Sequence, residues 1–209
     1  MSGIWQTTST IVHAGDECFV IDSPVLPEEL EALPSVLDQA GWELTGLIAT
    51  HGDWDHVLAR TVWPDAALGV AETTARRMAD DPGDAQRKLR KFDTEHYIER
   101  APLPLGSLQS FPVPGRLDVG DRELELHEAT GHTVDGMAIV VPWARVLVCG
   151  DYLSPCEDPM VEGDAEDYRA TLERLRPLVK AAEWVVPGHG VPINPVRAEA
   201  ILDDHLAKL

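Results

Sequence analysis

Thr50-His51-Gly52-Asp53-Trp54-Asp55-His56 decides how this chain is read. The apolar run Leu47-Ile48-Ala49 leads into it, and a helix-like segment follows from Val57. Just past the end of a buried strand, His51, Asp53, Asp55 and His56 aim two imidazoles and two carboxylates at one small volume at a sheet edge. A metal site is built this way, and nitrogen and oxygen donors without a thiolate suit zinc, iron or manganese. The same residues also fit an ordinary polar surface turn. Three later segments weigh against that plainer reading: Gly131-His132-Thr133, Gly150-Asp151 and Pro187-Gly188-His189-Gly190.

The 209 residues, 44% of them apolar and 25% charged, predict one soluble globular domain spanning 1–209. A chain of this length buries a substantial core without disulfide or metal staples. No apolar run approaches the roughly 20 residues of a membrane span, and no basic-then-apolar leader opens the chain, so no membrane partner and a cytoplasmic location are expected. A formal charge of −19 repels phosphate backbones, so no nucleic-acid partner is expected either. The basic run at 87–91 lies among acids and reads as a solvated helix face. Cys18 and Cys149 sit in apolar runs as small core residues, and Cys156 falls five residues after Asp151. The odd, unspaced cysteine set fits a reducing compartment.

Short β-rich runs at 9–12 and 18–21 predict a hairpin, with His13 in its turn. Leu30, Leu33, Val36 and Leu37 recur at helical spacing and predict a helix over 27–40. A buried strand over 44–50 then delivers the opening motif. A short helix at 57–62, a strand at 67–71 and a helix from 72 alternate as in a layered α/β protein. Residues 80–116 change character: a charged helix at 85–100 leads into a proline-rich stretch with few strand signals. That segment reads as an insert covering the site or as a simple surface excursion, with His96 and Tyr97 as its residues of interest. Strands at 117–119, 123–127, 137–141 and 146–149 have short connections and predict a largely antiparallel sheet. An amphipathic helix at 164–182, a strand at 184–186 and a terminal helix at 195–209 complete the chain.

The set and order of these motifs resembles the metallo-β-lactamase-fold hydrolases, in particular the glyoxalase II-like branch, over most of the chain. The resemblance implies an α/β fold, a four-layered αβ/βα sandwich with two divalent metal ions, zinc foremost and iron or manganese as alternatives, at the edge between two sheets. Carried over residue by residue, it places His51, Asp53 and His132 on one ion and Asp55, His56 and His189 on the other, with Asp151 between them. Asp53 departs from the histidine usual there. It adds a charge and an oxygen donor, friendlier to iron or manganese and less Lewis-acidic; alternatively Asp53 turns away and one ion alone is held. Asp135 is a second departure, where glycine is frequent.

The resemblance also implies a function. Metal-activated hydroxide would hydrolyse a small-molecule ester, thioester or lactone, with Asp55 orienting the nucleophile and carrying a proton. The chain ends about twenty residues after His189, which argues against a full glyoxalase II-like enzyme with its added C-terminal domain. Tyr152 either lines the pocket or packs. Two other classes fit the same ligands: a mononuclear iron oxidoreductase, and a metal-binding regulatory protein without turnover. The physiological substrate and the oligomeric state are not legible in the sequence.

Overall fold

The computed structural model describes residues 1–104 and 106–209. Thr10–Ala14 (β1) and Glu17–Ile21 (β2) form the expected antiparallel hairpin. Gly46–Ile48 (β3), Leu68–Ala71 (β4) and Leu108–Phe111 (β5) then add to β2 in parallel, giving a sheet ordered β1-β2-β3-β4-β5. Parallel neighbours need crossovers. The helix Pro27–Ala40 (α1) makes the one from β2 to β3, and Glu72–Asp80 (α2) with Asp84–His96 (α3) make the one from β4 to β5. α1 covers its sheet with Leu30, Leu33 and Leu37, the stripe read from the sequence.

The second sheet is ordered β10-β9-β8-β7-β6. Gly115–Val119 (β6), Arg122–Glu128 (β7), Met137–Val141 (β8) and Val146–Val148 (β9) are antiparallel, as predicted. Trp184–Val186 (β10) joins β9 in parallel, because the helix Ala165–Ala181 (α4) carries the chain back across the sheet. Asp164 caps α4 by accepting from the backbone N–H of Glu166 and Asp167, and Asn194 caps the last helix, Pro195–Lys208 (α5).

Three apolar clusters mark three interfaces between four layers. Leu30, Leu33, Leu58 and Phe92 pack on the outer face of the first sheet with Val20 and Val70. Val12, Ile21, Ile48, Leu124, Leu126 and Ile139 fill the space between the sheets. Tyr168, Leu172, Leu175 and Leu202 pack α4 and α5 on the second sheet. This is the four-layered αβ/βα sandwich.

Two local readings are corrected. The stretch 80–116 is not strand-poor at its end: β5 lies inside it, as an edge strand whose Leu108, Gln109 and Ser110 are all exposed. With no buried face, β5 has no alternating pattern to read. The helix expected at 57–62 is a 3-10 turn over Leu58–Thr61, preceded by another over Trp54–His56.

Candidate metal centre

The four chemistry-bearing segments arrive at one end of the sandwich. His51 to His56 follow β3, His132 lies on the β7–β8 connection, Asp151 follows β9 and His189 follows β10. In sheets with parallel strands the loops after the carboxyl ends are where ligands collect. His51, Asp55, His56, His132 and His189 are buried, and Asp53 and Asp151 nearly so.

Every sequence-predicted ligand is brought into this cluster. His51 Nε2 lies 3.6 Å from Asp53 Oδ2 and 3.7 Å from Asp151 Oδ2. His132 Nε2 lies 3.2 Å from Asp151 Oδ2 and 3.9 Å from Asp53 Oδ2. His189 Nε2 is 3.4 Å from both Asp55 Oδ2 and Asp151 Oδ2, and His56 Nε2 is 3.1 Å from Asp151 Oδ1. Asp151 therefore stands between the two sides. Three groups, His51–Asp53–His132, His51–His56–Asp151 and Asp55–His56–His189, each present ligand atoms within 4.8 Å of one another.

The chemistry of these atoms fits a cation. The Nε2 atoms of His51, His56 and His132 and Oδ1 of Asp151 are buried without a hydrogen-bond partner. Buried polar atoms in native proteins are nearly always paired, so a cluster of unpaired atoms within these adjoining groups calls for a positive partner. Three of the four outer ring nitrogens are held by hydrogen bonds to the protein, and the fourth, His56 Nδ1, faces the Asp22 carboxylate. His132 Nδ1 lies 2.9 Å from the Met160 carbonyl, His189 Nδ1 2.9 Å from the Trp5 carbonyl, and His51 Nδ1 3.2 Å from Thr50 Oγ1. A neutral imidazole donating through Nδ1 leaves its Nε2 lone pair free for a metal. Although burial opposes it, the neighbouring carboxylates push the His56, His132 and His189 imidazoles upward in pKa. The same imidazoles, against the effect of burial, hold Asp151 well below the usual carboxylate range.

Several supporting residues escape a motif reading. Asp22, in a left-handed conformation at φ 57°, places Oδ2 3.2 Å from His56 Nδ1 and accepts from the Thr50 N–H at 2.8 Å. Its place after β2 reads in sequence only as a strand end. Arg77, on α2, donates to Asp53 Oδ1 at 2.5 Å and to Asp135 Oδ1 at 2.6 Å. Burial alone would raise Asp53; His51 and then Arg77 outweigh it and hold this carboxyl far below its ordinary value. Asp135 is buried, accepts from the Gly52 N–H at 3.0 Å and from Thr133 Oγ1 at 2.8 Å, and so ties the His132 turn to the His51 loop.

Tyr152 packs and positions. Its hydroxyl donates to the Thr130 carbonyl at 2.6 Å and accepts from the His132 N–H at 3.0 Å. The Pro-Gly-His-Gly turn has a steric reason: a Cβ on Gly188 would overlap Asp151 Oδ1. A Cβ on Gly131 would overlap the Tyr168 nitrogen, so only glycine lets the His132 turn dock on α4.

Other residues singled out in the sequence stand apart from the ligands. His13 stacks on Trp42 and His96 on Phe92, while Tyr97 is fully in solvent. Cys18 and Cys149 are buried core thiols, and Cys156 is exposed. The helix α3, with its basic run, packs against the Trp54–His56 turn and brings Lys88 Nζ to 3.9 Å from Asp53. No helix among the described residues is long and apolar enough to cross a membrane.

Comparison with known proteins gives the family and the fold. The chain is 25% identical over 192 residues to the beta-lactamase-like protein 2 homolog of Caenorhabditis elegans, covering 91% of this chain and 58% of that one. It is 25% identical over 171 residues to a hydroxyacylglutathione hydrolase of Ruegeria pomeroyi, covering 80% of this chain and 56% of that one. The chain thus spans little more than half the length of these relatives. A metallo-beta-lactamase family protein from Thermus thermophilus superposes with a TM-score of 0.71 at 20% identity, over 97% of this chain and 75% of that one, and shares the fold. The family model described as the metallo-beta-lactamase superfamily matches residues 2–189, a span that runs from the N-terminal segment to the last candidate ligand. On that match, the chain belongs to the metallo-β-lactamase superfamily.

Proposed function

We propose that this protein is a metal-dependent hydrolase acting on a small-molecule ester, thioester or lactone. The observation that carries the reading is that buried, unpartnered imidazole nitrogens and a carboxylate oxygen belong to adjoining groups whose ligand atoms lie within 4.8 Å of one another. His51, Asp53 and His132 would hold one divalent ion and Asp55, His56 and His189 a second, with Asp151 shared. Zinc suits this nitrogen-rich set, and the added carboxylate of Asp53 also admits iron or manganese. The chemistry such ions supply is an acidified water, with pKa near about 7, and a Lewis acid for a carbonyl or leaving oxygen.

The chain's own residues do the rest. Asp55 Oδ2, 3.4 Å from His189 Nε2 and 3.8 Å from His56 Nε2, is the carboxylate that would hold and pass a proton there. Met160, Trp5 and Thr50 lock the ring orientations through the outer nitrogens, so little reorganisation is needed on binding. A cavity of about 350 Å³ beside the loop, lined by Gly52, Val57, Arg77, Met78, Ala85 and Leu103, suits an apolar acyl group. The net charge of −19 disfavours nucleic-acid phosphodiesters, and the similarity to hydroxyacylglutathione hydrolases favours acyl substrates.

A one-ion reading also has an observation behind it. His51, His56 and Asp151 form a compact group of their own, with the two imidazole rings 4.2 Å apart. Elemental analysis of protein purified without chelator, beside a panel of esters, thioesters and lactones, tests both readings. About two metals per chain with turnover of an acyl substrate is the expected result. One redox-active iron with oxygen uptake, or metal without any turnover, would overturn it.

A further inference from the structure

We propose that Arg77 is the positioning residue of Asp53, so that residues 53 and 77 work as one charge-balanced unit at the His51–His132 side of the centre. The inference rests on the metal-centre reading above and extends it to a residue outside the ligand set.

The geometry separates the two oxygens of Asp53. Oδ1 accepts from Arg77 at 2.5 Å, and Oδ2 faces His51 at 3.6 Å and His132 at 3.9 Å. The guanidinium thus consumes one oxygen and leaves one donor atom aimed at the imidazole pair. Its second arm reaches Asp135, whose other oxygen holds the Gly52 N–H. The planar, two-armed shape of arginine is what spans two carboxylates on separate loops; a lysine's point charge cannot grip both in plane. Arg77 joins the loop bearing His51 and Asp53 to the turn bearing His132, and so sets how far apart these ligands stand.

Charge points the same way. Asp53, Asp55, Asp135 and Asp151 are all largely buried within one cluster. Two divalent ions would be offset by Asp53, Asp55, Asp151 and a hydroxide, which leaves Asp135 to Arg77; Lys88 Nζ, 3.9 Å from Asp53 Oδ1, is the other cation nearby but is 41% exposed and so more strongly screened. Arg77 meets both of the carboxylates it touches with a single positive charge, in a partly buried setting where screening is weak. A histidine at position 53 would remove one of its partners and leave the guanidinium facing a dication.

A double-mutant cycle tests this with zinc affinity and stoichiometry, measured by chelator competition on Asp53→His, Arg77→Met and the pair. Arg77→Met alone is expected to weaken zinc at one of two sites by about tenfold or more, the size typical of losing a ligand's outer partner. In the Asp53→His background the same change is expected to strengthen zinc binding, because a repelling cation is removed. A purely structural role for Arg77 would weaken binding in both backgrounds by the same factor, and that result overturns the proposal. Arg77→Lys serves if Arg77→Met fails to fold: because a lysine cannot hold both carboxylates, it is expected to weaken zinc in the wild-type background and to do so by a clearly smaller factor in the Asp53→His background, and equal factors in the two backgrounds overturn the proposal. The wild-type titration separates the two levels of inference. No zinc bound at all defeats the metal-centre reading, whereas zinc bound with no coupling between 53 and 77 defeats this one alone.

Discussion

The position of Asp151 makes it the most consequential single residue. It lies within 3.1 to 3.7 Å of nitrogen atoms on His51, His56, His132 and His189, so a side chain serving both halves of the centre is lost when it is truncated. Asp151→Ala is expected to leave close to no bound metal by elemental analysis, and full metal content would remove Asp151 from the ligand set. Asp22 acts one step further out, through His56 Nδ1. Asp22→Ala should weaken metal binding by roughly 10–100-fold, read by chelator competition, because the imidazole loses the carboxylate beside Nδ1 that raises its basicity. Of these two, Asp151 belongs to a recognisable Gly-Asp pair and was legible from the sequence. Asp22 was not, because its role depends on a 3.2 Å approach between segments well separated along the chain and on a left-handed backbone that the sequence does not announce.

At the scale of elements, the turns that carry ligands are built to tolerances well under one methyl group. A Cβ on Gly188 would overlap Asp151 Oδ1 and come within 2.9 Å of His56 Cε1. Gly188→Ala is therefore expected to reduce metal content sharply while leaving far-UV circular dichroism near that of the wild type, since the clash is with ligands and not with the core. Helix α4 offers a contrasting case, in which the cost is one of stability alone. Its cap, Asp164, accepts two backbone N–H groups. Asp164→Ala should cost about 1 kcal/mol, which is about 2–4 °C in Tm for a chain of this size, with metal content unchanged. Helices α1, α4 and α5 were legible because each has an apolar stripe and a cap or breaker at its ends. Strand β5 was not, since an exposed edge carries no buried alternation, and its partner β4 is far away in sequence.

For the whole molecule, the centre sits where both sheets end, so its occupancy joins them. His51, Asp53, Asp55 and His56 come from the first sheet, and His132, Asp151 and His189 come from the second. Metal that binds only the folded state stabilises it by mass action, by about 4 kcal/mol when free metal exceeds Kd about 1,000-fold. Chelation is accordingly expected to lower Tm by roughly 8–16 °C at that saturation, and an unchanged Tm on removal of metal would mean that the sheets are not joined in this way.

The amino-acid sequence by itself determined the layered α/β class, the hairpin opening and the five α-helices, and its motifs, through their resemblance to a family, named the seven candidate ligands. Those features rest on local signals: periodicity, caps, and short motifs whose residue types suit one chemistry. Tertiary structure alone decided which atoms face the centre, that Arg77 spans Asp53 and Asp135, that Asp22 and Tyr152 hold ligand-bearing backbone and rings in place, and that β5 closes the first sheet. Each of these is a contact between segments distant along the chain, set by how two sheets and their loops pack. The geometry of such contacts depends on shape and burial, which no local pattern of residues records.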